Sequence, residues 1–160
     1  MDRIDRILGC EAFRENLEKN NAAEKDRVFC RHDIAHFLDV ARIATIISLE
    51  EGLDIDRELI YGAALLHDIG KHRQYSDGIP HEQAGVIIAG DILKSCEFND
   101  GETSVIIDAI SSHRDDSVAS EASLRGVLYR ADKASRPCFT CAAESDCNWK
   151  DSKKNQQLLY

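Results

Sequence analysis

The stretch Ala63-Ala64-Leu65-Leu66-His67-Asp68-Ile69-Gly70-Lys71 ends an apolar run with an adjacent histidine and aspartate. Its apolar side chains and His67 share one face at helical spacing, which predicts a helix whose buried stripe continues into the imidazole. Asp68 lies on the adjoining face, and Gly70 is expected to end the helix in the left-handed conformation. A buried imidazole and carboxylate need compensation, which a divalent metal ion supplies. The stretch alone is equally consistent with a helix end that carries one hydrogen-bonded histidine and one solvated aspartate.

Length, charge and cysteine content restrict the classes of function. The 160 residues suit one domain with a substantial core, and a net charge of −9 argues against binding duplex nucleic acid, which basic surfaces hold. A small phosphorylated substrate stays compatible, because bound metal inverts the local field. We find no membrane-spanning apolar run and no signal peptide, so we expect no membrane partner and a cytoplasmic location. In that compartment the six cysteines are thiols or ligands rather than disulfides. The oligomeric state is not legible from the sequence.

Helical periodicity along the chain predicts an all-α protein, a single compact bundle of about six helices. We find no alternating strand pattern and no internal repeat. The expected domain covers residues 1–136, and a cysteine-rich tail over residues 137–160 packs on it. A loop is expected over residues 72–79. The predicted helices cover residues 2–20, 33–51, the segment ending at His67, and residues 80–96, 102–113 and 121–135.

Side chains that bind metals recur on the apolar faces of five of these helices. A single residue of this kind is usually a core histidine whose hydrogen bonds are satisfied. When five helices each carry one on the apolar face, a shared site is indicated. A bundle would bring four imidazoles and two carboxylates together, a set suited to Fe, Mn, Zn or Co. The candidate ligands are His36, His67, Asp68, His81, His113 and Asp132. His32 lies one turn before His36 on the same predicted apolar stripe, and the residues alone do not choose between these two.

These motifs resemble the HD superfamily of metal-dependent phosphohydrolases over residues 32–136. His36 followed by Asp39-Val40-Ala41 is similar to the family's first histidine, Leu65–Lys71 to its naming motif, and Tyr129–Lys133 to its closing aspartate segment. The resemblance implies a helical bundle of the HD-domain type. It also implies one metal ion held by four of the candidates and a second held by the others with Asp68 as the bridge. The first set is His36, His67, Asp68 and Asp132, and the second adds His81 and His113.

The resemblance implies that water activated by one or two metal ions attacks a nucleotide or another phosphomonoester or phosphodiester. Asp68 would be catalytic as the shared ligand. Lys71 would be a catalytic phosphate contact, although a solvated cation at a helix end explains it equally well. Further candidates for substrate contact or support of the ligands are His32, His72, Glu82 and Arg114. Two alternatives stay open, a mixed-valence di-iron oxygenase of the same superfamily and a nucleotide- or metal-binding sensor without turnover.

Three cysteines cluster after the last predicted ligand helix. Cys138, Cys141 and Cys147 include a C-x-x-C pair, a spacing typical of zinc or iron–sulfur ligation or of a redox pair. Three reduced thiols are the alternative interpretation. A metal site would be one ligand short, and Cys30 lies in the connection before the His36 helix, which must approach the Asp132 helix. We therefore predict a second, non-catalytic site for zinc or an iron–sulfur cluster, with the four sulfurs within about 4 Å of one another.

Overall fold

The computed structural model describes residues 1–160 and is all-α, as the sequence predicts. It contains eight α-helices rather than about six, with short 3-10 turns after α7 and in the tail. No helix is both long enough and apolar enough to cross a bilayer. The helices are α1 (Asp2–Gly9), α2 (Glu11–Ala23), α3 (Ile34–Glu50), α4 (Arg57–Leu66), α5 (Lys71–Asp77), α6 (His81–Ser95), α7 (Asp100–Ser112) and α8 (Leu124–Ala134).

Two predicted boundaries are wrong, and each error has a local cause. The single helix over residues 2–20 is two helices, because Cys10 adopts an extended backbone with φ −67° and ψ 129°. The second of them continues past the expected break at Asn20 as far as Ala23. The expected loop over residues 72–79 begins instead as the helix α5, which ends at Gly78 with a positive φ of 70°.

Helix α4 lies at the centre of the bundle and packs against α1, α3, α6, α7 and α8. Asp56 caps its N-terminus by accepting a 2.6 Å hydrogen bond from the backbone amide of Glu58. Every residue from Gly62 to Gly70 is buried, so the helix and the turn after it have no solvent face. The His67–Asp68 pair therefore lies where neighbouring helices can reach it from several directions.

Gly70 is required for close packing rather than for backbone conformation. Its φ is −89°, so the predicted left-handed helix end is wrong. A Cβ atom at this position would lie 2.5 Å from the backbone nitrogen of Gly85 and 2.8 Å from the carbonyl carbon of Ala84. The missing side chain thus allows α6, which carries His81, to approach the turn that carries Asp68.

We expect Gly70→Ala to lower the free energy of unfolding by about 1–3 kcal/mol, because the added methyl group meets backbone atoms that cannot rotate away. Gly90→Ala is the matched control. Gly90 lies within α6, and a Cβ atom added there would have no neighbour within 4 Å, so alanine should raise stability by about 0.5–1 kcal/mol. Chemical denaturation of both variants measures the difference. Equal stability of the two would contradict this account of Gly70.

Candidate metal centre

The bundle brings all six predicted ligands to one place. They form two groups, and within each group the potential ligand atoms lie within 4.8 Å of one another. The side chains are buried or nearly so, and they come from α3, α6, α8 and the ends of α4 and α7. The first group is His36, His67, Asp68 and Asp132, and the second is Asp68, His81 and His113.

Asp68 belongs to both groups because its two oxygens face different histidines. Its Oδ2 lies 3.1 Å from Nε2 of His67 and 3.8 Å from Nε2 of His36. Its Oδ1 lies 3.0 Å from Nε2 of His81 and 3.5 Å from Nε2 of His113. This is the arrangement of a carboxylate that can bridge two ions.

The helix ends orient two of the imidazoles. Nδ1 of His67 lies 2.7 Å from the carbonyl oxygen of Ala64, and Nδ1 of His113 lies 2.6 Å from that of Ile110. In the neutral ring Nδ1–H donates to the carbonyl, which leaves the lone pair on Nε2. In both rings Nε2 therefore faces the shared carboxylate. Burial opposes protonation of His67, but Asp68 and Asp132 raise its pKa to about 10, so its Nε2 carries a proton that a bound metal ion would replace.

Gln74 orients a third imidazole, and sequence analysis did not identify it. Its Oε1 lies 2.6 Å from Nδ1 of His81, so Nδ1–H donates to it and Nε2 faces Asp68. The same oxygen accepts a 3.3 Å hydrogen bond from Nζ of Lys71. Gln74 lies in α5, the segment expected to be a loop, so no pattern of the sequence linked it to the site.

Several buried polar atoms in the two groups have no hydrogen-bond partner. They are Nε2 of His36, Nε2 of His67 and Oδ1 of Asp68. Such atoms are costly unless a ligand satisfies them. Nε2 of His81 and Nε2 of His113 are 3.2 Å apart, and two ligand atoms about 2.1 Å from one ion are separated by about this distance. The donor set therefore fits a transition metal ion that accepts nitrogen and oxygen.

The two carboxylates are held in the anionic form that metal binding requires. Burial alone would raise the pKa of Asp132, but Arg136 and Lys133 hold it well below its usual range. Nη2 of Arg136 lies 3.0 Å from Oδ1, and Nζ of Lys133 lies 2.5 Å from Oδ2. Burial likewise opposes ionisation of Asp68, and the neighbouring imidazoles, His67 first, keep its pKa well below the usual range.

His32 lies just before α3, which begins at Ile34 with Asp33 as its cap, so the helix does not position it. Glu24, which sequence analysis missed, holds it instead. Nδ1 of His32 is 2.6 Å from Oε1 of Glu24, and Oε2 accepts a 2.7 Å hydrogen bond from the His32 amide. Nε2 points toward Asp68, 3.7 Å from its Oδ2. The buried acid Glu24 therefore orients His32 toward the site.

Asn20 is a further residue that sequence analysis missed. It is fully buried, and its Nδ2 donates a 2.9 Å hydrogen bond to the carbonyl oxygen of Asp68. Its Oδ1 accepts a 2.8 Å hydrogen bond from the amide of His72. The side chain thus joins α2 to both ends of the turn that positions Asp68.

A cavity of about 360 Å³ opens over the two groups. Lys71 and Arg114 line this cavity, which is a position from which they could contact a phosphate. His72 and Glu82 do not. Nε2 of His72 lies 2.8 Å from Oδ1 of Asn16 on α2, and Glu82 pairs with Arg114 at 3.4 Å. Oε2 of Glu82 also lies 3.6 Å from Nδ1 of His81, which agrees with support of a ligand, and substrate contact by His72 or Glu82 stays a prediction.

Known proteins share the helical domain that builds this site. The family model named HD domain matches residues 33–137. The chain belongs to the HD domain family. A protein of Clostridium beijerinckii, named as uncharacterized, is 46% identical over all 160 residues and over its own whole length. Ribonuclease Y of Acetivibrio thermocellus is 36% identical over 130 residues, which are 80% of this chain and 20% of that enzyme.

One solved structure has a similar fold. The crystal structure of a predicted HD superfamily hydrolase from an uncultured Thermotogales bacterium superposes with a TM-score of 0.63 and 26% identity. The superposition covers 88% of this chain and 80% of that one. The chain spans only about a fifth of the ribonuclease Y relative, so the likeness to that enzyme concerns the HD domain.

The predicted four-cysteine site is not assembled beside the HD domain. The two His/Asp groups are the clusters of potential metal ligands that the structure forms, and neither contains a cysteine. All six cysteines are free thiols. Cys30, Arg136 and Cys141 line one cavity of about 330 Å³, whereas Cys138 and Cys147 do not line it. The prediction of four sulfurs within bonding distance of one ion is wrong for this arrangement, because the tail folds as separate 3-10 turns.

We expect Asp68→Ala to lose the metal content of both groups, because this carboxylate is the ligand common to them. His113→Ala should lose only the ion of the second group and His67→Ala only that of the first. Elemental analysis of the purified variants measures the ratio of metal to protein, and circular dichroism checks that they stay helical. Retention of the wild-type metal content by Asp68→Ala would refute the bridging assignment.

Proposed function

We propose that the chain is a metal-dependent phosphohydrolase that acts on a nucleotide or another phosphomonoester or phosphodiester. The observation that carries the proposal is the shared Asp68 carboxylate, with one oxygen aimed at each group of histidines. Family membership and the likeness to a predicted HD superfamily hydrolase support hydrolysis in general. The ribonuclease Y relatives support a phosphoester substrate, since RNA is a chain of phosphodiesters.

Bound divalent ions would supply Lewis acidity, which acidifies water and withdraws charge from a phosphoryl oxygen. His36, His67 and Asp132 would hold one ion, His81 and His113 the other, and Asp68 both. Fe, Mn, Zn and Co all suit this donor set.

Basic side chains around the cavity would bind the substrate's phosphate oxygens. Seven of the fifteen lining residues are lysine or arginine, although the chain as a whole has a net charge of −9. Lys71 lies beside the second group, where burial lowers its pKa. Arg114 reaches the cavity from the end of α7. The cavity volume is within the range of small-molecule sites, which favours a small substrate over duplex nucleic acid.

His32 would act as the general base and then as the general acid. Burial lowers its pKa, which the Asp68 and Glu24 carboxylates only partly offset, so the ring is neutral near pH 7. Glu24 accepts the Nδ1 proton and leaves the lone pair on Nε2, on the cavity side. Nε2 can therefore accept a proton from the attacking water and return it to the leaving oxygen. Glu24 stays ionised, because the hydrogen bonds from His32 outweigh burial and lower its pKa to about 2.

The six cysteines support a cytoplasmic location, where thiols stay reduced. We propose this compartment and a small phosphorylated molecule as the partner, with neither membrane nor duplex nucleic acid bound.

We expect the protein to release inorganic phosphate or a phosphomonoester from a panel of nucleotides and aryl phosphates near neutral pH. Chelation should abolish the activity, and added Mn or Fe should restore it, because the ions supply the acidity that water lacks. Asp68→Ala is the inactive control. Two results would overturn the proposal: no turnover of any phosphorylated compound, or an oxygen-dependent reaction with the spectrum of a mixed-valence di-iron centre.

We expect Glu24→Gln to lower kcat about 10- to 100-fold, because the neutral amide no longer favours the proton on Nδ1 of His32. The metal content should not change. Tyr75→Phe is the control: it removes the 2.6 Å hydrogen bond from the Tyr75 hydroxyl to Oε1 of Glu24 but keeps the carboxylate, so the loss should be smaller. Steady-state kinetics with elemental analysis separate the two. Equal kcat in Glu24→Gln and wild type would remove His32 from the proton path.

A further inference from the structure

The tail after the HD domain match contributes one wall of the cavity. Asn148, Trp149, Lys150 and Lys153 line it together with Asp68 and Asp132. Asn155 anchors the segment to the end of α8, where its Nδ2 donates to two backbone carbonyl oxygens, those of Lys133 at 2.6 Å and Arg136 at 2.9 Å. The tail is therefore docked on the helix that carries Asp132 and belongs to the surroundings of the substrate.

Trp149 is the one hydrophobic side chain among the fifteen that line the cavity, and it is the only tryptophan of the chain. The guanidinium carbon of Arg136 lies 4.5 Å from its ring centroid, and Nζ of Lys133 lies 5.9 Å from it. Both cations come from α8 and its C-terminal end, and they hold the indole in place. The ring is only partly buried, so it keeps aromatic surface for a partner in the cavity.

Lys150 and Lys153 bring positive charge to the same wall. The tail's ion pairs use Lys154, whose Nζ lies 2.7 Å from Oε1 of Glu144 and 3.1 Å from Oδ1 of Asp151. Lys150 and Lys153 stay exposed and line the cavity. A planar ring beside two lysines matches a ligand that has a flat aromatic part and several negative charges.

We propose that the tail determines substrate specificity, with Trp149 stacked on the base of a nucleotide and Lys150 and Lys153 bound to its phosphates. The inference rests on the proposed phosphoester hydrolysis and assigns recognition of the nucleoside part to residues beyond the family match. Residues of the helical domain, Lys71 and Arg114 among them, bind only the anionic part of the ligand.

The test uses two probes that differ only by the nucleoside, α,β-methylene-ADP and methylenediphosphonate. Because Trp149 is the only tryptophan, its fluorescence reports contact with the base directly. The 160-residue chain, as purified with its metal, is titrated with each probe, and chromatography checks that the nucleotide stays intact. We expect saturable quenching by the nucleotide analogue and a Kd about 5- to 100-fold lower than for the diphosphonate.

Variants separate the contribution of base stacking from that of charge. Calorimetry measures binding in the variants that lack the Trp149 fluorophore. Trp149→Leu should abolish the preference for the nucleotide analogue and leave the diphosphonate Kd unchanged, whereas Trp149→Phe should keep most of the preference. Lys150→Gln and Lys153→Gln should each raise the Kd of both probes by the same factor. Lys94→Gln is the control, since Lys94 is exposed at the end of α6 and does not line the cavity.

A nucleotide analogue that binds no more tightly than the diphosphonate would overturn the proposal, and so would an unchanged preference in Trp149→Leu. If Trp149→Leu raised the Kd of both probes equally, this would also contradict the proposal, because the tail would then support the cavity without contacting the base. These are binding measurements, so their outcome is separate from that of the hydrolysis assay. Nucleotide binding through Trp149 without turnover would refute the proposed function, while the assignment of base recognition to Trp149 would stand.

Discussion

The structure depends on one buried carboxylate that is shared between two groups of histidines. Asp68 is 2% exposed and ionised, and a charge so placed is tolerated only if its surroundings offset the loss of water. Imidazoles from four helical segments do so when they converge on its two oxygens. The packing of α3, α4, α6 and α7 is therefore coupled to the electrostatics of this residue, and Gly70 allows α6 to approach the turn that carries Asp68.

A layer of hydrogen bonds behind the ligands determines what the site can do. Each ring nitrogen that faces away from the carboxylates meets a defined partner, either a helix-end carbonyl, as for His67, or a side chain, such as Gln74 for His81. The partner fixes the tautomer, so Nε2 is the atom turned inward. Glu24 imposes the same orientation on His32, whose Nε2 reaches the cavity. The difference is that His32 lies outside both ligand groups, which leaves it available for the proposed proton transfer.

The local sequence determined the all-α class and the identity of the candidate ligands. Helical periodicity places each ligand one turn beyond a buried residue, and this information is contained within a single helix. The adjacent pair His67-Asp68 at the end of an apolar run indicated the centre of the site. The spacing of the other histidines on their own helices added the rest, except that the choice of His36 over His32 needed the family resemblance. The resemblance to one family extended these local patterns to a shared metal centre.

Only the tertiary structure decided which residues support that centre. Asn20 contacts the carbonyl of Asp68 across 48 positions of the chain, and the tail brings Trp149 back to the cavity beside Asp132. Contacts at such separation leave no periodic signal, because they arise from how helices pack rather than from the pattern along one helix. The four-cysteine prediction failed for the same reason. Spacing can bring ligands together within one turn, but the approach of Cys30 to the tail depends on packing that no local pattern specifies.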